Sequence, residues 1–493
     1  MDATWRAVWF ECVTMQVKGW FMSRIRSFVC LSAVCALLTS TALAQDSYNR
    51  RETKRQAVRG PSVPRPPRIQ DTVFQDTVFQ DTAFQDDVDV EASPGDDDVA
   101  YTSCGACEPT CECEPSCGCD NGCSKCCCDP CDYGDPWKLI PDHCAISAGG
   151  WIQSGFASNA HGDPSNGSLG FNNANNGWQL HQLWGYLEKS ADTGHCGVDW
   201  GFRCDYVFGV DGADTQAFGD QGWDFGWNSS VDYGSAIPQL YVELAYNDFT
   251  FRYGHFYTTI GWEVVQAPDN FFYTHAYTQY YGEPFTHTGF LGTWEPNDCW
   301  TYYFGYVDGW DSGWENRGEA ATFLGGVSYA MNDCTTFTWA VVVGDFGNGR
   351  PLIGGNASNG DIYMNSFVMQ RQISDKLTYV FQHDFGTNTG LGAGDNEWYG
   401  INQYLQYEIN GCWSVGTRYE WFRDDDGARV IGAAGHFHEI SLGVNYRPHA
   451  NLVVRPELRW DWFDADAAGG PLPFDRGTRS SQFLGACDVI FTF

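Results

Sequence analysis

The chain is short of positive charge: 28 Lys and Arg stand against 62 Asp and Glu in 493 residues, a formal net charge of −34. Phosphate backbones are bound by clustered Lys and Arg, so nucleic acid is excluded as a partner. Ala, Leu, Lys and Glu are sparse, which argues against long helices. Beyond the N-terminal segment no apolar run is long enough to cross a bilayer as a helix, which needs about 20 residues. A Gly-x-Ser-x-Gly elbow, a His-Glu-x-x-His helix and a phosphate-binding loop are all missing, so neither an enzyme nor a cofactor is expected. What is plentiful is aromatic side chains, at 16%, and glycine, at 56 residues. With Thr and Asn also common, this is the composition of β-structure with many turns. Apolar residues reach 43%, enough for a large folded region, and disorder throughout is excluded.

The N-terminus reads as an export signal, assigned to residues 1–44, with Met22 as an alternative start. Arg24 and Arg26 precede an apolar run from Phe28 to Leu38, and Ala42-Leu43-Ala44 is an A-x-A cleavage site. Residues 45–103 read as an extended linker. They are basic and proline-rich at first, then carry a Gln-Asp-Thr-Val-Phe repeat from Gln70 to Gln85, and end in an acidic run from Asp86 to Asp98. Residues 104–131 form a cysteine-rich module: Cys104, Cys107, Cys111, Cys113, Cys117, Cys119, Cys123, Cys126, Cys127, Cys128 and Cys131. Such density without apolar residues implies disulfides or metal. Cys-x-x-Cys units at 104–107 and 123–126 exist, but no ordered ligand set does, so disulfides are the simpler reading. The total of 21 cysteines is odd, which leaves room for an intermolecular bridge to an envelope partner.

From Cys144 onward, sixteen alternating segments of roughly ten residues follow one another, and the joins between them alternate in length. Tight joins fall at Asn247-Asp248, Glu295–Asp298, Met331–Asp333, Ile373–Asp375, Asn410-Gly411 and Pro448-His449; the joins between these are long and rich in Gly, Asp and Asn. In 450–462 Leu452, Val454, Leu458, Trp460 and Trp462 share one face, and Arg455, Glu457, Arg459 and Asp461 share the other. A charged face recurring on strand after strand fits a wet lumen with lipid outside. Segment 361–372 breaks the rule, because both of its faces mix polar and apolar residues. Trp151, Trp178, Trp413, Trp421, Trp460 and Trp462 at strand ends suit an interfacial girdle. The chain ends on an alternating strand with Phe493, which resembles the C-terminal sorting signal of outer-membrane proteins. The expected fold is therefore all-β: a transmembrane antiparallel up-and-down β-barrel of about 16 strands over residues 144–493. A disordered, Cys-rich N-terminal extension precedes it, and an even strand number places both chain ends on the periplasmic side.

A resemblance sharpens this. The stretches Ile237–Glu243, Gly254-His255-Phe256-Tyr257-Thr258, Ala267–Tyr273, Tyr281–Gly289, Trp398–Tyr404 and Glu420–Gly427 resemble the OmpL-like beta-barrel porin family of planctomycete-type bacteria. The resemblance covers about residues 144–493 and implies passive diffusion of small hydrophilic solutes or ions through a water-filled outer-membrane barrel. The alternative is a structural anchor that links a disulfide-rich periplasmic segment to the envelope. In general porins, which the layout also resembles, the join after the fifth strand folds into the barrel and narrows it, and the assembly is a homotrimer. By that analogy the join 259–283 contributes Glu263, Asp269 and Tyr273 to a constriction. The wall contributes Arg252, Arg418, Arg455 and Arg459 with Glu243, Glu420 and Glu457, setting up a transverse field. The pair His436 and His438 shares one strand face and suggests a metal only weakly. Asp424-Asp425-Asp426-Gly427 lacks EF-hand spacing and reads as a solvated acidic loop. Residues 144–493 hold 40 acids and 15 bases, and the eight long joins alone hold 19 acids and 5 bases, so an acidic mouth is expected.

Overall fold

The structure is a computed structural model that describes residues 131, 133–140, 145–174, 177–217, 223–227, 233–314, 321–347, 360–389 and 395–493. The export signal, the linker and the cysteines from Cys104 to Cys128 lie outside the described residues. Sixteen strands follow in chain order: β1 (Ser147–Asn159), β2 (Gln179–Lys189), β3 (Val198–Gly209), β4 (Gly234–Tyr246), β5 (Phe249–Tyr257), β6 (Thr286–Asn297), β7 (Trp300–Val307), β8 (Thr322–Asn332), β9 (Thr335–Asp345), β10 (Asp361–Ser374), β11 (Leu377–Asn388), β12 (Asn396–Asn410), β13 (Trp413–Asp424), β14 (Gly435–His449), β15 (Leu452–Ala465) and β16 (Ser481–Thr492). Each pairs antiparallel with its sequence neighbours, and β1 pairs with β16 from Trp151↔Thr492 to Asn159↔Leu484, so the sheet closes on itself. Closure leaves no open edge of backbone donors and acceptors, which hydrocarbon could not satisfy. No helix among the described residues is long and apolar enough to cross a membrane; crossing falls to the strands.

The barrel is apolar outside and charged inside. On β15, Arg455, Glu457, Arg459 and Asp461 are buried in the interior, while Pro456, Leu458 and Trp460 alternate outward and are exposed. Pro456 has no N–H to give, and the β14–β15 ladder skips it: pairing runs Gly443↔Glu457 and resumes at Tyr446↔Val454. Val242 and Leu244 on β4, Phe290 on β6, and Ile440 and Leu442 on β14 extend the same outer band. Near the short-turn rim an aromatic ladder runs from Phe249 through Trp294, Tyr302 and Trp300 to Tyr329, with successive ring centroids 5.6, 5.3, 5.9 and 4.3 Å apart. Near the opposite rim, Trp421 stacks on His436, and His438 stacks on Trp462. These are the interfacial girdles.

Two details differ from the sequence reading. Trp151 is not in the girdle: it points inward, stacks on Trp184 at 4.7 Å and donates to Gln182. The mixed pattern of 361–372 has a cause in packing. Ile362 and Met364 of β10 face inward into an apolar cluster with Trp310, Phe346 and Trp398, where joins from the long-loop end fill the lumen. An inward face covered by apolar side chains has no need of polar residues. A charge placed on the outer band should cost about 2–4 kcal/mol when it lies near mid-bilayer. Phe290→Arg, in the middle of β6, should therefore lower stability by that amount in urea unfolding from lipid vesicles, and an unchanged transition would remove β6 from the lipid-facing wall.

Candidate functional site

The long join between β5 and β6, residues 258–285, lies inside the barrel rather than over its mouth, and nearly all of it is buried. A 28-residue excursion without strands carries many backbone donors and acceptors that must be satisfied. The wall supplies the partners. Glu457 accepts hydrogen bonds from the N–H groups of Tyr273 (2.9 Å) and Thr274 (3.0 Å) and from the Thr274 hydroxyl (2.5 Å). Glu420 accepts from the N–H groups of Tyr277 (2.7 Å) and Thr278 (2.6 Å). Carbonyls are met by guanidinium groups. Arg455 donates to Ala267 O (3.0 Å) and Asn270 O (2.6 Å), Arg418 to Thr274 O (2.7 Å), and Arg459 to His275 O (2.6 Å). Arg455 is held in turn by a two-pronged pair with Asp488, Arg459 by Asp461, and Arg418 by Glu439 and by Glu263 of the loop. The loop is thus latched to β13–β16 by charge-assisted bonds, the strong kind.

Packing completes the latch. Phe271 and Phe272 sit over Gly416 and Gly443, where an added Cβ would lie 2.5 and 2.9 Å from the rings, so only glycine allows this approach. Tyr273 hydrogen-bonds His181 at 2.6 Å, and His181 meets Asp211 at 3.0 Å. Gln182 donates to Val265 O at 2.6 Å. Asp269 closes a short 3-10 turn, Ala267–Asp269.

A cavity of about 100 Å³ runs between the loop and β2–β9, lined by Glu188, Arg203, Glu243, Arg252, Glu263 and Glu283 together with Tyr241 and Thr338. Arg203 pairs with Glu188 (2.9 Å) and Asp205 (2.8 Å). Arg252 pairs with Glu243 (3.2 Å) and lies over the Tyr241 ring at 4.0 Å. Of the residues named from sequence, Arg252, Glu243 and Glu263 therefore line the vestibule. Arg418, Glu420, Arg455, Glu457 and Arg459 sit under the loop and hold it. Glu188, Arg203 and Glu283 were missed, although Glu188 and Arg203 occupy inward, period-2 positions directly paired across β2 and β3. His436 and His438 face the girdle, with His436 bonded by Trp421 and Arg423.

The outer loops use several of their acids as structural acceptors. Asp424, expected to be solvated, is buried and accepts from the N–H groups of Ala428, Arg429 and Val430, each at 2.9 Å. Asp311 accepts from Phe285 and Thr286. Asp224, in the join after β3, accepts from Ala217 and Ile237, and burial pushes its carboxyl up to about 7 despite those bonds.

A model of the family described as "Putative beta-barrel porin-2, OmpL-like" matches residues 145–493. The chain belongs to this family. It is an outer-membrane porin, a channel for passive diffusion. No curated protein matches the chain. Among solved structures it is similar to an anion-selective porin from Comamonas acidovorans, at 13% identity over 71% of this chain and 99% of that one, with a TM-score of 0.47. The outer-membrane channel DcaP of Acinetobacter baumannii is similar at 10% identity, covering 73% and 100%, with a TM-score of 0.46. OmpT of Vibrio cholerae is similar at 12% identity, covering 72% and 99%, with a TM-score of 0.45.

Two outcomes test this porin's interior. Glu420→Ala with Glu457→Ala orphans buried loop donors at about 1–3 kcal/mol each, so the loop should loosen, single-channel conductance should rise and its current noise should increase; unaltered conductance would show that the latch lies elsewhere. For Asp224, the folded pKa lies above the unfolded one, so folding takes up a proton, and its contribution is present below the ordinary carboxylate range and is lost as pH rises from about 4 toward 7. Proteolysis of the 210–233 join should accelerate across that window, and Asp224→Asn should flatten the dependence.

Proposed function

We propose that solutes and ions pass along the β2–β9 wall, and that the vestibule between that wall and the folded-in loop sets a preference for cations. The observation that carries the reading is its lining: Glu188, Glu243 and Glu283 face Arg203 and Arg252, while Glu263 is already paired with Arg418 beneath the loop, so carboxylates outnumber guanidinium groups three to two. A narrow, low-dielectric passage focuses such an imbalance and raises the local concentration of counter-charge. The arginines serve as orienting partners across the passage, and the acidic outer joins add to the field at low ionic strength. The passage is polar and the channel reading assigns no catalytic residue. Small hydrophilic solutes suit it better than apolar ones.

The N-terminal extension belongs on the periplasmic side in this reading, because β1 begins and β16 ends at the rim that also carries the short turns. Outer-membrane lipid surrounds the apolar band. A homotrimer is carried over from the general porins that the strand layout resembles. Planar-bilayer recordings of the purified porin in a KCl gradient should give a cation-selective reversal potential, and Glu188→Gln with Glu243→Gln should move it toward zero. An anion-selective potential, or one indifferent to the double substitution, would sink the assignment.

A further inference from the structure

The cysteines of the barrel are placed unevenly. Apart from Cys204 on β3 and Cys487 on β16, every cysteine among the described barrel residues stands in a join at the short-turn rim, Cys196 in the eight-residue join 190–197 and the others in tight turns. Three short turns repeat one local design: Asn297-Asp298-Cys299, Asn332-Asp333-Cys334 and Asn410-Gly411-Cys412. In each, the asparagine side-chain oxygen accepts the cysteine N–H at 3.0 Å, so the same Asx turn presents the same residue three times on one rim.

None of these three is a free thiol. Cys412 is bonded to Cys131, 281 residues away and the last cysteine of the rich module. Cys299 and Cys334 are disulfide-bonded too, and no described cysteine is their partner: Cys196, Cys204 and Cys487 are free. The chain after Cys131 follows the same rim. Tyr133 lies 3.4 Å from Cys412 Sγ, and Trp137 exchanges backbone hydrogen bonds with the Asn451 side chain at 2.8 and 2.7 Å. The rim is thus already a docking surface for the stretch 131–137.

The geometry points to the short-turn rim as a covalent docking surface for the cysteine-rich segment of the same chain, with Cys299 and Cys334 bonded to cysteines of 104–128. This inference deepens the periplasmic placement proposed above and rests on it. The occupant is argued from supply and reach: ten cysteines stand within 27 residues of Cys131, whose bond already ties that end to the third turn of the set, against the single Cys144 ahead of β1. That segment lacks the apolar residues to fold alone, so bonds to a rigid rim replace the core it cannot build. Each bridge forms as two thiols release two protons and two electrons to a disulfide of an oxidising envelope exchange protein, which leaves as a dithiol; a thiolate attacks, a mixed disulfide forms, and the second thiolate displaces it.

The test is disulfide mapping of the full chain, extracted from outer membranes with thiols blocked before lysis, digested without reduction and read by mass spectrometry. Peptides holding Cys299 and Cys334 should each appear joined to a peptide from 104–128 and separate on reduction. The Cys412→Ser chain should keep those two links and still migrate as a monomer on a non-reducing gel. Recovery of Cys299 and Cys334 as blocked thiols would overturn the inference, as would a link between the two of them, a link to Cys144, or a link to another polypeptide seen as a reducible dimer. Bilayer conductance of the same sample separates the two readings: a conducting barrel with blocked thiols loses only the docking inference, and a bridged barrel without conductance loses only the passage.

Discussion

The structure depends on a mutual debt between wall and loop. Inward guanidinium and carboxylate groups on β13–β16 cannot face an emptied interior without partners, and a long strandless loop cannot sit inside a barrel with bare amides. Each solves the other's problem: Glu420 and Glu457 take loop N–H groups, while Arg418, Arg455 and Arg459 take loop carbonyls. Burial of any one of these charges alone would be costly; burial as a set is satisfied. The asymmetry of the lumen follows directly. Charge on β13–β16 holds the loop, while the pairs Glu188–Arg203 and Glu243–Arg252 line the cavity beside β2–β5.

The same economy explains the outer joins. An acidic loop looks like a surface field when only its formal charge is counted. Asp424 instead accepts N–H groups of its own turn, Asp311 accepts those of Phe285 and Thr286, Asp211 accepts the Gln182 side chain on β2, and all three are buried. A carboxylate that accepts two or three N–H groups stands in for the ladder partner that a loop lacks, a local use of charge rather than a long-range one.

The sixteen strands were legible because a barrel in lipid obeys one rule at every strand: apolar out, polar in, with a period of two. The alternation of short and long joins added the orientation. Legibility failed where a second layer covered the inner face. Ile362 and Met364 on β10 and Trp151 on β1 look outward-facing by polarity, yet they pack against residues brought in by distant joins. The loop's position could be read, and so could the wall charges near it. Which of those charges face solute and which grip the loop is a matter of azimuth around the barrel, and a linear pattern of period two carries no azimuth. Glu188 and Arg203 escaped notice for that reason, since their strands showed nothing unusual except that inward charges met across the pair.

The two ends of the barrel solve one problem by different chemistry. At the long-loop end, chain without strand is held by burial: apolar clusters around Trp310 and Trp398, carboxylate caps, and Arg429 over the Trp398 ring at 4.5 Å. That solution needs aromatic and aliphatic residues in the held segment. At the short-turn end, the segment up to Cys131 has almost none, and its turns project into water where ion pairs are worth little. A covalent bond does not depend on dielectric or on apolar area, only on an oxidising compartment and a fixed geometry. The Asx turns give Cys412, Cys334 and Cys299 that fixed geometry. Among the described residues, the Cys131–Cys412 bond holds chain at that rim where no core does.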